Sequence, residues 1–341
     1  MTSRVRVWLA IHVGLLVAFL AIAAWTIVKF DWNVIGRSLA EVPLLAVTAM
    51  AMAWLAALCI RPVRLIVLIR AMAPENQRGY WPLWCASMIA MGVNSIVPMR
   101  AGDMAMALVL RQSLGIRSGR AFSAMLVDRF FDVATAIVLF VSALLAAPAA
   151  ASWTTPLVPS LVSALIVLVA GLWMSIRLRH LWLHLLERAL AGLGARSRER
   201  WQRRAHDLFE GFAAIDKPST VAAVLALSII LWSATTMSYW FGISAVWPSA
   251  SVAAAAFAAG AVALSFIVPI APGGVGVFHG ACVLALSLFD VPLEHALAGA
   301  IMCHAFQLGS VLILAAVALA SQGISLRSLT VAPDMSEPSR G

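Results

Sequence analysis

The chain has 341 residues, of which 62% are hydrophobic and only 11% are charged, whereas soluble domains are about 45–50% apolar and about 25% charged. This composition excludes a water-soluble globular protein. The 24 Lys and Arg residues outnumber the 15 Asp and Glu residues, but they lie between long apolar runs, which indicates a membrane protein rather than a nucleic-acid-binding protein.

Six apolar runs are long enough to cross a membrane as helices. A hydrocarbon core of roughly 30 Å needs about 20 helical residues at about 1.5 Å each. Because each run approaches or exceeds that length, we predict six spanning helices. They cover residues 7–28, 42–60, 121–147, 157–176, 219–241 and 296–320.

Two further apolar stretches, 80–110 and 251–289, contain Pro- and Gly-rich breaks and do not fit a single crossing. Arginines flank the first stretch on both sides, which indicates that both of its ends are cytoplasmic. Neither flank of the second carries Lys or Arg, so both of its ends are predicted outside. The arginines that mark the first flanks are Arg61, Arg64, Arg70, Arg78, Arg111, Arg117 and Arg120.

An internal repeat accompanies these breaks. The pattern Ile-Val-Pro-x-x-x-Gly occurs at 96–102 and again at 267–273. The spans that flank the two hairpins run in opposite directions, as in an inverted-topology repeat. The predicted fold is therefore all-α, a polytopic helical membrane protein with six spanning helices and two oppositely inserted re-entrant hairpins.

We predict a single integral membrane domain over residues 1–325. Its first half covers 1–176, and its second half covers 219–320. Between them, the segment 177–218 mixes Leu, Trp and Arg, which is typical of interfacial helices on the cytoplasmic side. Residues 326–341 are predicted to be a disordered cytoplasmic tail. This count of crossings predicts a protein of the cell inner membrane with both termini in the cytoplasm.

Polar residues gather at and after the first break. Irregular backbone at membrane depth is tolerated only against protein or a wet cavity, so we expect the two breaks to face each other at a central cavity. A buried charge costs about 2.5–3.5 kcal/mol, so these charged groups should avoid lipid. The candidate substrate-binding residues of this half are Pro98, Arg100, Gly102, Asp103, Asp128, Arg129 and Asp132.

Helix periodicity relates three of these residues. Asp128 and Asp132 are four apart and share a face, whereas Arg129 is rotated by about 100° and could reach the hairpin or a carboxylate. Two interpretations remain open. An Arg–Asp pair could merely tether the hairpin, or Arg100 or Arg129 could hold an anionic head group while the carboxylates balance the charge.

The second break supplies the other candidates. Hairpin tips present helix ends, whose free N–H groups favour an anion; the alternative is that Pro and Gly only kink the helices and the histidines only pack. No metal or cofactor is predicted, because the four cysteines have no C-x-x-C spacing. The candidate substrate-binding residues here are Pro269, Pro272, Gly273, Gly274, Gly276, His279, His304 and Gln307.

These motifs together resemble the flippase-like transmembrane domain of lysylphosphatidylglycerol synthases, over most of the chain. The resemblance rests on the segments 98–103, 127–132 and 269–277. It implies an integral membrane protein that moves lipids between leaflets, in the best-known members an aminoacylated phospholipid. Asp103 stands where the family usually has Glu. His279 and His304 stand where it tends to have Glu and Arg, which removes a potential ion pair.

The sequence therefore predicts a lipid translocase that moves a phosphate-bearing lipid between leaflets. Two alternatives remain, a membrane-embedded enzyme that modifies a lipid or isoprenoid with Asp128 and Asp132, and an ion-coupled transporter of a small anionic solute. No catalytic motif supports an enzyme, and the aminoacyl-transfer domain of the synthases is not among these residues. The expected partners are an anionic or zwitterionic phospholipid or a prenyl-linked lipid, with a lipid-modifying enzyme as a candidate protein partner and no nucleic acid.

Overall fold

The computed structural model describes residues 29–72, 79–97, 101–116, 118–146, 156–190, 192, 194–266 and 272–323. These residues form twelve α-helices and no β-strand, which confirms the predicted all-α class for this part of the chain. The predicted span 7–28 and the predicted tail 326–341 lie outside it. The helices are α1 (Trp32–Ala40), α2 (Leu44–Met72), α3 (Tyr80–Ile96), α4 (Ala101–Leu114), α5 (Ser118–Leu145), α6 (Leu157–Arg177), α7 (Arg179–Ala189), α8 (Ala195–Ala213), α9 (Pro218–Val246), α10 (Val252–Ser265), α11 (Val277–Ser287) and α12 (Leu293–Gln322).

Local sequence sets several of these helix ends. The Asp31 carboxylate accepts hydrogen bonds from the first amides of α1, and the Ser251 hydroxyl accepts one from the first turn of α10. Pro218 begins α9, where its missing N–H costs no helical hydrogen bond. Gly323 ends α12 at a φ of 62°, a left-handed conformation that favours glycine.

Among the described residues, four helices are long and apolar enough to cross a membrane, namely α2, α6, α9 and α12. They coincide with four predicted spans, although α2 runs on to Met72, well beyond the predicted end at residue 60. Helix α5 is 28 residues long and matches a fifth predicted span, but three charged residues near its middle set it apart. No residue of α6 is buried within the described part of the chain, so its apolar surface is available to lipid.

The contacts between helices are equivalent in the two halves: a contact that one helix of the first half makes with the second half has a counterpart made by the equivalent helix of the second half. Helices α2 and α9 pack extensively against each other at the centre. Helix α3 then packs on α12, and α10 packs on α5. Each of these crossings is close because a glycine faces the neighbour, Gly92 against Ala315 in one and Gly260 against Phe140 in the other.

The two predicted hairpins are the helix pairs α3/α4 and α10/α11. Residues 98–100 and 267–271, at their breaks, lie outside the described part of the chain. The described turn Pro272–Gly274 contacts α3. A β-carbon on Gly273 would lie 3.4 Å from the Ser95 carbonyl oxygen, so residues beside the two breaks lie close together.

The segment between the halves forms α7 and α8. Helix α8 packs on the start of α5, where Gly119 and Gly211 allow the two helices to approach closely. The Ser123 hydroxyl donates to the Leu208 carbonyl at 2.7 Å. Helix α7 instead exposes Leu181, Trp182 and Leu185, an apolar face that continues the exposed surface of α6.

Candidate functional site

Six charged side chains meet beside the first hairpin. Three are arginines and three are aspartates, so the group carries no formal net charge, and we call it the charge cluster. Its members come from α2, α4 and α5, and α5 packs against both of the other two. They are Arg61, Arg64, Asp103, Asp128, Arg129 and Asp132.

Arg64 lies at the centre of the charge cluster, and its side chain is 0% exposed. Its Nε donates to Asp128 Oδ1 at 2.8 Å, and its Nη2 donates to Asp132 Oδ1 at 2.7 Å. Its Nη1 donates to the Ser228 hydroxyl of α9 at 3.1 Å. The guanidinium therefore joins three helices, and both carboxylates of the predicted α5 face point at it.

Arg61 and Arg129 form the accessible edge of the charge cluster. Their side chains are 21% and 26% exposed. Both contact the same oxygen, Asp132 Oδ2, at 3.0 Å for Arg61 and 3.3 Å for Arg129. The two guanidinium groups are therefore close enough for one anion to bridge them.

The first hairpin is fastened to this edge. Arg129 Nη2 donates to Asp103 Oδ1 at 3.1 Å, so Arg129 reaches the hairpin, one of the two destinations that helix periodicity allows. The Asn94 side chain donates to the same Asp103 oxygen at 3.3 Å and accepts from the Gly102 amide at 2.8 Å. Gly102 is required because a β-carbon there would collide with the Ala90 carbonyl oxygen.

A small open cleft lies beside the charge cluster. Two of the three arginines and one aspartate line it, and the rest of its wall is small or apolar. Such a wall suits an amphipathic ligand whose polar part is anionic. Its lining residues are Arg61, Leu65, Ser87, Ala90, Met91, Met106, Asp128 and Arg129.

The second break has a different chemistry. His304 Nε2 lies 2.8 Å from the Gly273 carbonyl oxygen, so this nitrogen carries the proton and donates. The Gly276 amide donates to His279 Nδ1 at 3.3 Å. The two imidazole rings meet edge to face at a centroid distance of 4.9 Å, and Phe278 stacks on His304 at 4.4 Å.

Gln307 lies one turn beyond His304 on α12. Its side-chain amide is buried and interacts with the Tyr239 side chain. On α9, the buried Trp232 indole nitrogen and Thr236 hydroxyl have no hydrogen-bond partner among the described residues. Unpaired buried donors are costly, so these groups indicate a place where water or a ligand supplies the missing acceptor.

The structure thus brings together most of the predicted residues in two groups. Asp103, Asp128, Arg129 and Asp132 lie in the charge cluster, with Gly102 at its edge. Gly273, Gly276, His279, His304 and Gln307 lie at the second break, and Pro272 and Gly274 belong to the same turn. Pro98, Arg100 and Pro269 lie outside the described residues.

Arg61 and Arg64 are the members of the charge cluster that were not predicted. Their charge and their position after an apolar run assign them to a cytoplasmic connection. That assignment is wrong for Arg64, which is fully buried inside α2. Their i, i+3 spacing could have identified them, because it puts two cations on one face of a helix. These two cations can pair with the two anions of the i, i+4 pair Asp128 and Asp132.

One group of potential metal ligands occurs among the described residues, on α8. His206, Asp207 and Glu210 lie within 4.8 Å of one another. Glu210 also pairs with Arg120 at 3.3 Å and with His206 at 3.5 Å. Because these contacts already engage its carboxylate, we interpret the group as part of the packing of α8 on α5.

Comparison with known proteins gives one match. No curated protein and no solved structure matches the chain. The family model described as the lysylphosphatidylglycerol synthase TM region matches residues 8–315, nearly the whole sequence. The long apolar helices and the match agree that this is a membrane protein, and the chain belongs to the family of lysylphosphatidylglycerol synthase transmembrane regions.

Proposed function

We propose that this protein is a lipid translocase in which Arg61 and Arg129 bind the phosphate of a lipid head group. The acyl or prenyl chains stay in the bilayer while the polar part occupies the cleft. The family match supports a lipid-related function in the membrane. The observation that carries the proposal is the pair of partly exposed arginine side chains, Arg61 and Arg129, on the wall of a cleft whose other residues are mostly small or apolar.

The charge balance of the cluster supports this role. Paired charges in a low-dielectric interior hold one another in place, at a desolvation cost that an apolar core would avoid. If the charge cluster served only to tether the first hairpin, one ion pair, such as Arg129 with Asp103, would be enough. The additional buried pairs of Arg64 fix both carboxylates, and these in turn orient Arg61 and Arg129 toward the cleft.

We further propose six spanning helices and two re-entrant hairpins that enter from opposite sides. The correspondence between the helix pairs of the two halves supports an inverted repeat. Rocking of one half against the other about the α2–α9 contact would then open the cleft to each leaflet in turn. The protein would lie in the cell inner membrane with both termini in the cytoplasm.

Cysteine accessibility tests this topology. We expect a single cysteine at Lys217 to react with a membrane-impermeant maleimide only from the cytoplasmic side, and one at Pro248 or Asp290 only from outside. The native cysteines are first replaced, and the cysteine-free protein serves as the reference for background labelling. Labelling of Lys217→Cys and Pro248→Cys from the same side would contradict the inverted arrangement.

Flipping of labelled lipid tests the function. The purified protein is reconstituted into liposomes that contain phosphatidylglycerol with a fluorescent acyl chain, and dithionite quenches the label in the outer leaflet. We expect lipid exchange well above protein-free liposomes. We expect Arg61→Gln to slow it by about tenfold or more, because loss of one charged hydrogen bond to phosphate costs about 1.5–3 kcal/mol.

Arg61→Gln suits this test because Asp132 keeps its contacts with Arg64 and Arg129. Arg203→Gln removes an exposed arginine that pairs with Glu199 on α8 and serves as the matched control, with an unchanged rate expected. Arg129→Lys keeps the charge but loses the planar fork, so an intermediate rate is expected. Equal rates in the wild type and Arg61→Gln would reject phosphate binding by this edge.

A further inference from the structure

The two halves carry different residues at corresponding positions. Asp103 is the third residue of α4 and His279 is the third residue of α11. Arg129 is the twelfth residue of α5 and His304 is the twelfth residue of α12. Each pair is in contact, so a charged pair in the first half corresponds to a pair of imidazoles in the second.

The two sites are also neighbours. Asn94 contacts Asp103, and the next residue, Ser95, presents its carbonyl oxygen to Gly273. The Gly273 carbonyl in turn accepts from His304. The second break therefore lies next to the end of α3 that contacts Asp103 of the charge cluster.

The two imidazoles can make both kinds of hydrogen bond that a neutral hydroxyl group forms, one as donor and one as acceptor. His279 Nδ1 accepts from an amide, so in the neutral ring Nε2 carries the proton and can donate. His304 donates through Nε2, so in the neutral ring Nδ1 can accept.

A cationic head group has few available counter-ions at these two sites. Each carboxylate of the charge cluster is already engaged by an arginine, Asp103 by Arg129 and the other two by Arg64. On α12 the carboxylate of Glu294 lies ten residues before His304, about 15 Å along the helix. An ammonium group would therefore be desolvated without a counter-ion.

We infer that the substrate is a phospholipid whose head group beyond the phosphate is uncharged and carries hydroxyls, and that His279 and His304 select it against amine-bearing lipids. The inference rests on the proposed function. A site that hydrogen-bonds a hydroxyl discriminates strongly against a ligand that leaves its polar groups unpaired. His279 would be the specificity-determining residue because it is half-buried and is joined to the break by one hydrogen bond, whereas His304 is buried.

The test compares three lipids with the same fluorescent acyl chain in the liposome assay. They are phosphatidylglycerol, phosphatidylethanolamine and an aminoacyl ester of phosphatidylglycerol. We expect phosphatidylglycerol to cross at least about tenfold faster than either amine-bearing lipid, which corresponds to about 1.4 kcal/mol. We expect His279→Glu to lower that ratio by about tenfold, because the new carboxylate supplies the missing counter-ion.

Two control variants accompany His279→Glu. His279→Gln keeps a neutral hydrogen-bonding side chain and should retain the preference, which separates charge from misfolding. His180→Glu adds the same charge on exposed α7 and should leave all three rates unchanged. Each rate is normalised to the amount of folded protein recovered in the liposomes.

The outcomes separate this inference from the function beneath it. If the wild-type protein moves none of the three lipids, the proposed function fails. If it moves all three at equal rates, the function stands and the selectivity fails. If phosphatidylglycerol is preferred but His279→Glu and His279→Gln give the same ratio, the assignment to His279 is overturned.

Discussion

The sites beside the two breaks occupy equivalent places in the two halves but are held by different forces. At the first, the Arg129–Asp103 ion pair connects α5 to α4. At the second, a hydrogen bond from His304 to a backbone carbonyl and ring stacking on Phe278 do the same work. The first solution joins two charged side chains, whereas the second satisfies a backbone carbonyl of the turn.

The difference between the two sites is that the ion pairs are concentrated at the first site and are not shared with the second. The first site holds three full ion-pair partners of each sign, whereas the residues described at the second are neutral or aromatic. Removing one member of a buried ion pair leaves an uncompensated charge, but removing a neutral side chain leaves at most an unmade hydrogen bond or a small cavity. Matched substitutions in the two halves should therefore have unequal costs.

The largest expected effect follows from Arg64→Met. It leaves Asp128 and Asp132 in a buried place without their central partner, so we expect a loss of about 3–5 kcal/mol in the free energy of unfolding. At the second site, His304→Ala should lower the free energy of unfolding by about 1–2 kcal/mol. Unfolding in mixed detergent micelles measures both, and a smaller loss for Arg64→Met than for His304→Ala would break the comparison.

A glycine at the first hairpin gives the next effect. In Gly102→Ala the new methyl group collides with the Ala90 carbonyl, and we expect a loss of about 1–3 kcal/mol from overpacking. Gly280→Ala in α11 meets nothing within 4 Å, so it should be neutral or stabilise by up to about 1 kcal/mol. The same unfolding assay applies, with Gly280→Ala as the matched control; equal losses would mean that the α3–α4 contact is loose.

Double-mutant cycles sharpen the comparison directly. We expect a coupling free energy of about 2 kcal/mol between Asp103 and Arg129, measured with Asp103→Asn, Arg129→Gln and the double variant. For His279 and His304, replaced singly and together by Ala, we expect about 0.5–1 kcal/mol. A histidine coupling as large as that of the ion pair would show that the second site is equally rigid.

The smallest expected effect belongs to Ser228→Ala. The hydroxyl accepts one hydrogen bond from Arg64, which keeps its bonds to Asp128 and Asp132. We expect a loss of about 1 kcal/mol in the free energy of unfolding, with lipid exchange unchanged. A loss as large as that of Arg64→Met would indicate that α9, and not α5, supplies the main anchor of this arginine.

Much of the fold follows from the sequence because apolar run length sets helix length. The spans at α6, α9 and α12 follow from run length, and the shared face of Asp128 and Asp132 follows from helix periodicity. The position of Arg64 does not follow from the sequence, because a rule based on charge beside an apolar run assigns any arginine there to a connection. Its partners lie 64 and 68 residues away, so only the assembled helices identify them.

The glycines of the second break and the two histidines are predicted as candidate substrate-binding residues, but the hydrogen bonds between them are not predicted. The contact between His304 and the Gly273 carbonyl spans 31 residues and depends on a turn with three glycines at positive φ, namely Gly273, Gly274 and Gly276. Such backbone conformations are permitted by glycine but not dictated by it. The sequence therefore indicates where the chain bends and leaves open which carbonyl the bend presents.

The burial of Arg64 also constrains how the protein is made. Its partner Asp128 is synthesised 64 residues later, which is roughly 3–13 s at a translation rate of about 5–20 residues per second. During that interval Arg61 and Arg64 have no carboxylate of the charge cluster to pair with. We therefore expect this part of α2 to reach its final position only after α5 has been synthesised.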